Sequence, residues 1–110
     1  MAIESHDILT SNTTLFTSVG NNAVTTIMFC NTAAYNPLNP TAGLAYLDLH
    51  FVKNLQGVTT TNLVVNQIPI QAAETFTFDT EKIILSNGDR VIASSSSPAT
   101  LVATISTLEV

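Results

Sequence analysis

The chain has 110 residues and a net charge of −5, with only Lys53, Lys82 and Arg90 basic. Three scattered cations cannot build the clustered patch that displaces counterions from phosphate, which argues against nucleic acid as a partner, and an anionic membrane surface is disfavoured on the same ground. Ile, Leu, Val and Phe together number 34, enough for one hydrophobic core and too many for a disordered chain.

The polar residues are mostly neutral: 17 Thr, 10 Asn and 9 Ser stand against 11 residues of Asp, Glu, Lys and Arg. Thr suits a pleated, half-exposed surface, and Asn and Ser suit turns. A hydroxyl-and-amide surface resists close approach less than a charged one, because Lys and Glu carry larger desolvation and ordering costs. The single cysteine, Cys30, allows no intramolecular disulfide and reads as a small buried hydrophobe. The opening Met-Ala-Ile-Glu-Ser-His-Asp has no signal-peptide character, and no apolar run approaches the roughly 20 residues that span a bilayer. The expected place of synthesis is a host cytoplasm.

Residues 1–12 are expected to form an N-terminal arm and residues 13–110 a single β-sandwich domain. Strands are expected over 14–19, 23–32, 44–53, 62–70, 75–80, 82–85, 90–94 and 100–108, because short β-rich runs are punctuated by turn residues throughout. In the second run Ile27 and Phe29 oppose Met28 and Cys30, so both faces are apolar and the strand is expected to be central or covered on both sides. Residues 33–43 form a loop in which Asn36-Pro37 and Asn39-Pro40 bias the chain away from helix. In the third run Leu47, Leu49 and Phe51 alternate with Tyr46, Asp48, His50 and Val52. Pro69 marks an edge strand. Asn87-Gly88 is the sharpest turn signal and predicts a tight hairpin with Gly88 at positive φ. The last run alternates Leu101, Ala103 and Ile105 with Val102, Thr104, Ser106 and Leu108. Seven or eight strands and no βαβ alternation predict an all-β antiparallel sandwich, jelly-roll or immunoglobulin-like. Its core is assigned to Ile27, Phe29, Leu47, Leu49, Phe51, Phe76, Phe78 and Ile105.

The stretch from Glu74 to Ser94, Glu-Thr-Phe-Thr-Phe-Asp-Thr-Glu-Lys-Ile-Ile-Leu-Ser-Asn-Gly-Asp-Arg-Val-Ile-Ala-Ser, resembles small β-sandwich virion proteins of tailed bacteriophages, notably marine cyanophages. Ile27-Met28-Phe29-Cys30-Asn31-Thr32 is similar to that family's central strand. The resemblance covers residues 15–105 and is a strand-and-turn pattern. It implies a structural component of head, neck, tail or fibre.

Catalytic and metal constellations are weak. His6 with Asp7, and His50 with Asp48, could bind a metal only if the fold joined them. Asp79, Glu81 and Asp89 flank the Asn87-Gly88 turn, yet the spacing of a calcium loop is missing. There is no Gly-x-Ser-x-Gly elbow and no phosphate-cradling glycine loop. The expectation is therefore no enzyme, no cofactor and no metal. Two functions remain. The first is a virion component that binds copies of itself, with a trimer favoured, and other virion proteins. Its interface would use Ile3, Ile8, Leu9, Met28, Val102 and Leu108, since a sandwich has one inner face per strand and the opposed apolar residues would otherwise form an oversized patch. The second is a receptor- or glycan-binding module of a phage fibre that uses Tyr35, Asn36 and Asn39 in the Asn/Pro loop.

Overall fold

The computed structural model describes residues 2–78, 83–96 and 100–110. Nine strands follow one another: β1 (Ala2–Asp7), β2 (Thr13–Thr17), β3 (Asn22–Asn31), β4 (Ala45–Val52), β5 (Leu63–Ile70), β6 (Thr75–Phe78), β7 (Ile83–Leu85), β8 (Arg90–Ser95) and β9 (Leu101–Glu109). A 3-10 turn, Thr60–Asn62, precedes β5. One antiparallel sheet has the order β1-β9-β3-β6, with β7 also paired to β3; the other has the order β2-β8-β4-β5.

This order comes from one folding rule. The chain doubles back at the β4–β5 hairpin, and successive ladders nest outside it: β3 with β6 and β7, β2 with β8, and β1 with β9. Pairing of β3 with β9 and of β4 with β8 then curls the nested ribbon into two facing sheets. The result is a jelly roll, which limits exposed edges by wrapping most strands inside a sheet. The immunoglobulin-like alternative is set aside by this order.

Alternation along β3, β4, β8 and β9 supplies most of the core. Ile27 and Phe29 of β3, Leu47 and Leu49 of β4, Val91 and Ala93 of β8, and Leu101, Ala103 and Ile105 of β9 are buried together. Phe51, Phe76 and Phe78 pack against them only partly buried. The Phe51 and Phe78 rings meet edge-on at 5.8 Å, which ties the two sheets together at one end. Strand β3 is central, as expected, but covered on one side only: Met28 is exposed, and the expectation of a buried Cys30 is corrected, because its side chain lies on the same outer face and is exposed as well. Strand β5 does lie at a sheet edge.

Two further expectations are corrected. Residues 2–8 of the expected N-terminal arm are part of the sandwich itself. Ala2–Asp7 pairs in unbroken register with β9, Ile8 N–H continues the ladder to Leu101 O at 2.9 Å, and the Ile8 side chain is fully buried. Backbone pairing and one anchoring side chain hold the segment on its own domain. The second correction concerns Asn87-Gly88, which turns the chain as expected but closes no hairpin. It carries the chain from β7 in one sheet to β8 in the other.

Gly88 has φ +87°, and a Cβ there would lie 2.4–2.8 Å from the Asn54 side chain. Backbone strain and a steric clash therefore coincide. Gly88→Ala is expected to cost about 1–3 kcal/mol, and Gly88→Val more, because a β-branched residue is an outlier at positive φ. Adding Asn54→Ala should recover part of the Gly88→Ala loss. Chemical denaturation of the three variants checks this, and no recovery in the double variant would count against the clash.

Candidate interaction surfaces

The loops gather at two ends, and each end is braced by a buried polar residue. At one end Asn31, the last residue of β3, is 1% exposed. Its Nδ2 donates to Gly43 O (2.7 Å) and Ile70 O (2.9 Å), and its Oδ1 accepts from Ala33 N–H (3.0 Å) and Thr100 Oγ1 (2.8 Å). Its backbone N–H donates to Glu74 O, and its carbonyl accepts from Ala73 N–H. One side chain thus pins both ends of the 32–44 loop to the connections after β5 and before β9. At the other end Ser18 is equally buried; its Oγ donates to Gly20 O (2.8 Å) and accepts from Asn22 Nδ2 (2.9 Å). Neither residue stands out in the sequence, where Asn and Ser are plentiful and read as turn formers.

The candidate recognition loop is self-braced. Asn36 Oδ1 accepts from Leu38 N–H, and Asn39 Oδ1 accepts from Thr41 Oγ1. Both side-chain carbonyls are thus used inside the loop, that of Asn36 as an Asx turn. Its large apolar side chains in solvent are Tyr35 and Leu38, the latter 94% exposed.

The histidines stand on different sheets, His6 on β1 and His50 on β4. His50 is buried beneath the β4–β5 connection, and its Nδ1–H donates to Asn62 Oδ1 at 2.8 Å. Asn62 also donates to Gly57 O and accepts from Thr59 N–H, so it seats the connection over His50. Asp48 Oδ1 accepts the N–H of Gln67 (2.8 Å). Gln67 has φ +50° and sits where β5 slips register against β4, so the carboxylate satisfies a donor that the bulge frees from the ladder. Asp89 accepts from Asn54 N–H and Ser86 N–H, and Arg90 donates to Gln56 O. Asp79, Glu81 and Lys82 lie outside the described residues. Among the described residues no group of three His, Cys, Asp or Glu could hold a metal ion.

A coherent surface is the outer face of the β1-bearing sheet. Register across the sheet sets its rows. Leu108, Ala23 and Ile84 align, then Ile3, Ser106 and Thr26, then Ser5, Thr104, Met28 and Thr77, then Asp7, Val102, Cys30 and Thr75. Asp7, at the rim, is the only charge in these rows. Of the expected interface residues, Ile3, Met28, Val102 and Leu108 share this face; Ile3 is 69% exposed and Val102 half-buried. Ile8 is corrected, because it lies in the core and has no surface to offer. Leu9 is exposed but belongs to the loop after β1. The alternation within β3 and β9 carries the signal for this face. The way it continues onto β1 and β7 depends on pairings between residues far apart in sequence.

No known protein family, curated protein or solved structure matches the chain.

Proposed function

We propose that the protein is a structural virion component of a tailed phage, a head-decoration, neck or tail accessory protein acting by self-association and by binding other virion proteins. The observation that carries this reading is the outer face of the β1-bearing sheet, where Ser and Thr hydroxyls surround Ile3, Met28, Val102 and Leu108 with, among the described residues of its aligned rows, a single rim carboxylate. Depletion of charge with retained apolar anchors is what the centre of a protein–protein interface requires. The jelly roll adds support, since viral capsid domains use this architecture, as does the resemblance of residues 74–94 to phage sandwich proteins. Quantitative mass spectrometry of purified virions tests the proposal. A high copy number is expected for a head protein and a low one for neck or tail. Absence from the particle overturns the reading.

A second reading, receptor or glycan recognition at a fibre, rests on Tyr35 and Leu38, which the self-braced 32–44 loop holds in solvent. Lectins also use jelly rolls. Binding to host cells or a glycan array that is lost on Tyr35→Ala would favour it.

A further inference from the structure

Four strands or strand pairs form the sheet edges, and three are blunted. Strand β2 shifts register between Thr14 and Phe16. Strand β5 carries two shifts and Pro69, which has no N–H. The opposite edge of the first sheet is divided between the short strands β6 and β7. Such interruptions are how natural proteins prevent edge-to-edge pairing. Strand β1 has none: its six residues contain no proline and no bulge, and they pair with β9 without a shift.

The free side of β1 can be assigned residue by residue. Ile8 N–H donates to Leu101 O, and an antiparallel ladder alternates the direction of its polar groups. His6 and Glu4 therefore turn their N–H and C=O toward β9, while Ile3, Ser5 and Asp7 turn theirs outward. Among the described residues these outward groups have no strand partner.

We infer that β1 is a two-fold docking edge for a second copy of this chain, joined antiparallel with Ser5 on the axis. Outward-facing residues must pair with outward-facing residues, which restricts the register to even offsets. The register centred on Ser5 engages all three: Ile3 with the partner's Asp7, Ser5 with the partner's Ser5, and Asp7 with the partner's Ile3. Each such pair exchanges two hydrogen bonds, about six in all. The same register sets Glu4 opposite the partner's His6, and His6 opposite the partner's Glu4. These are the non-hydrogen-bonded positions, where side chains stand closest. Charge and backbone thus select one register independently. His6 adds a further observation: its Nε2 is buried without a hydrogen-bond partner, 3.8 Å from Glu4 Oε1 of its own strand. The partner's Glu4 gives that nitrogen an acceptor.

Inward-pointing charges on an edge normally repel pairing. Here their order, acid then base two residues on, makes them complementary to their own two-fold copy. The contact is isologous and closes as a dimer, which differs from the trimer expected from sequence. It also merges two β1-bearing sheets into one and sets their uncharged outer faces side by side.

Sedimentation equilibrium of the full chain tests the contact. Wild type should dimerise. Ser5→Pro removes an N–H that faces away from β9, so the fold tolerates it as edge strands tolerate proline. The dimer dissociation constant should nevertheless rise about a hundredfold or more. At dilutions where both are monomeric, the variant should melt as wild type does. Glu4→Lys and His6→Glu should each weaken the dimer about tenfold, and the two combined should restore it. Should Ser5→Pro disturb folding by circular dichroism, the charge-swap series decides. A monomer up to about 1 mM, a trimer, a dimer indifferent to Ser5→Pro, or a double variant that fails to recover overturns the proposal. The inference is separable from the virion reading, because a two-fold dimer missing from virions would overturn only the latter.

Discussion

Replacing Asn31 by Ala is expected to cost about 3–5 kcal/mol, a large share of the roughly 5–15 kcal/mol that holds a domain together. The side chain's two donors and its acceptor are all used, with four partners between 2.7 and 3.0 Å. A single net hydrogen bond contributes only about 1 kcal/mol, but a buried group left unsatisfied loses about 1–3 kcal/mol. The Ala variant strands Gly43 O, Ile70 O, Ala33 N–H and the Thr100 hydroxyl together, and water reaches only some of them. Asn31→Asp should be at least as damaging. It keeps the acceptor and aims a carboxylate at two carbonyl oxygens in a buried site, with no cation among its hydrogen-bond partners to compensate. Asn36→Ala, in an exposed turn of the same loop, should cost less than about 1 kcal/mol. Guanidinium unfolding at constant slope measures all three. An Asn31→Ala variant within about 0.5 kcal/mol of wild type would show that the loops are held by other means.

The β-sandwich was legible because alternation is a local property. Residues 44–53 and 100–108 write their inner faces as Leu47, Leu49 and Phe51 and as Leu101, Ala103 and Ile105, and the strands found there differ by a residue at each end. Strand β1 was not legible for the same local reason. Ile3, Ser5 and Asp7 alternate with Glu4, His6 and Ile8, so neither face shows an apolar stripe. Its place is fixed by backbone bonds to β9, about a hundred residues away in sequence. Turn chemistry has a similar limit. Asn87-Gly88 specifies a left-handed glycine but not whether the following strand stays in the same sheet. The outer face of the β1-bearing sheet could be half read, since Met28 and Val102 were visible as surplus apolar residues. Ile84, brought alongside Leu108 through Ala23, could not be seen without the register. Buried polar residues were the least legible. Asn31 and Ser18 differ from the other Asn and Ser residues only in where the finished fold puts them.

The aromatic core offers the sharpest test of that fold. The sequence treats Phe29 and Phe76 alike, each an inward residue of an alternating strand, but the structure separates them. Phe29 is the largest fully buried side chain, whereas Phe76 is only partly buried against it. The two are register partners, stacked with ring centroids 6.2 Å apart and an interplanar angle of 21°. On its other side Phe29 pairs with Ala103, whose methyl leaves room for the ring in the layer between the sheets. Phe29→Ala should therefore open a cavity that the rigid flanking strands β9 and β6 cannot close, at about 3–5 kcal/mol. Phe76→Ala, with part of its ring already in water, should cost about 1–3 kcal/mol, since less area leaves the solvent on folding. The double variant should fall short of additivity by about 0.5–1.5 kcal/mol, the worth of an aromatic pair beyond its burial. Equilibrium unfolding of the four proteins in the cycle measures each value. A Phe76→Ala loss equal to that of Phe29→Ala would mean that the β6 edge is covered in solution.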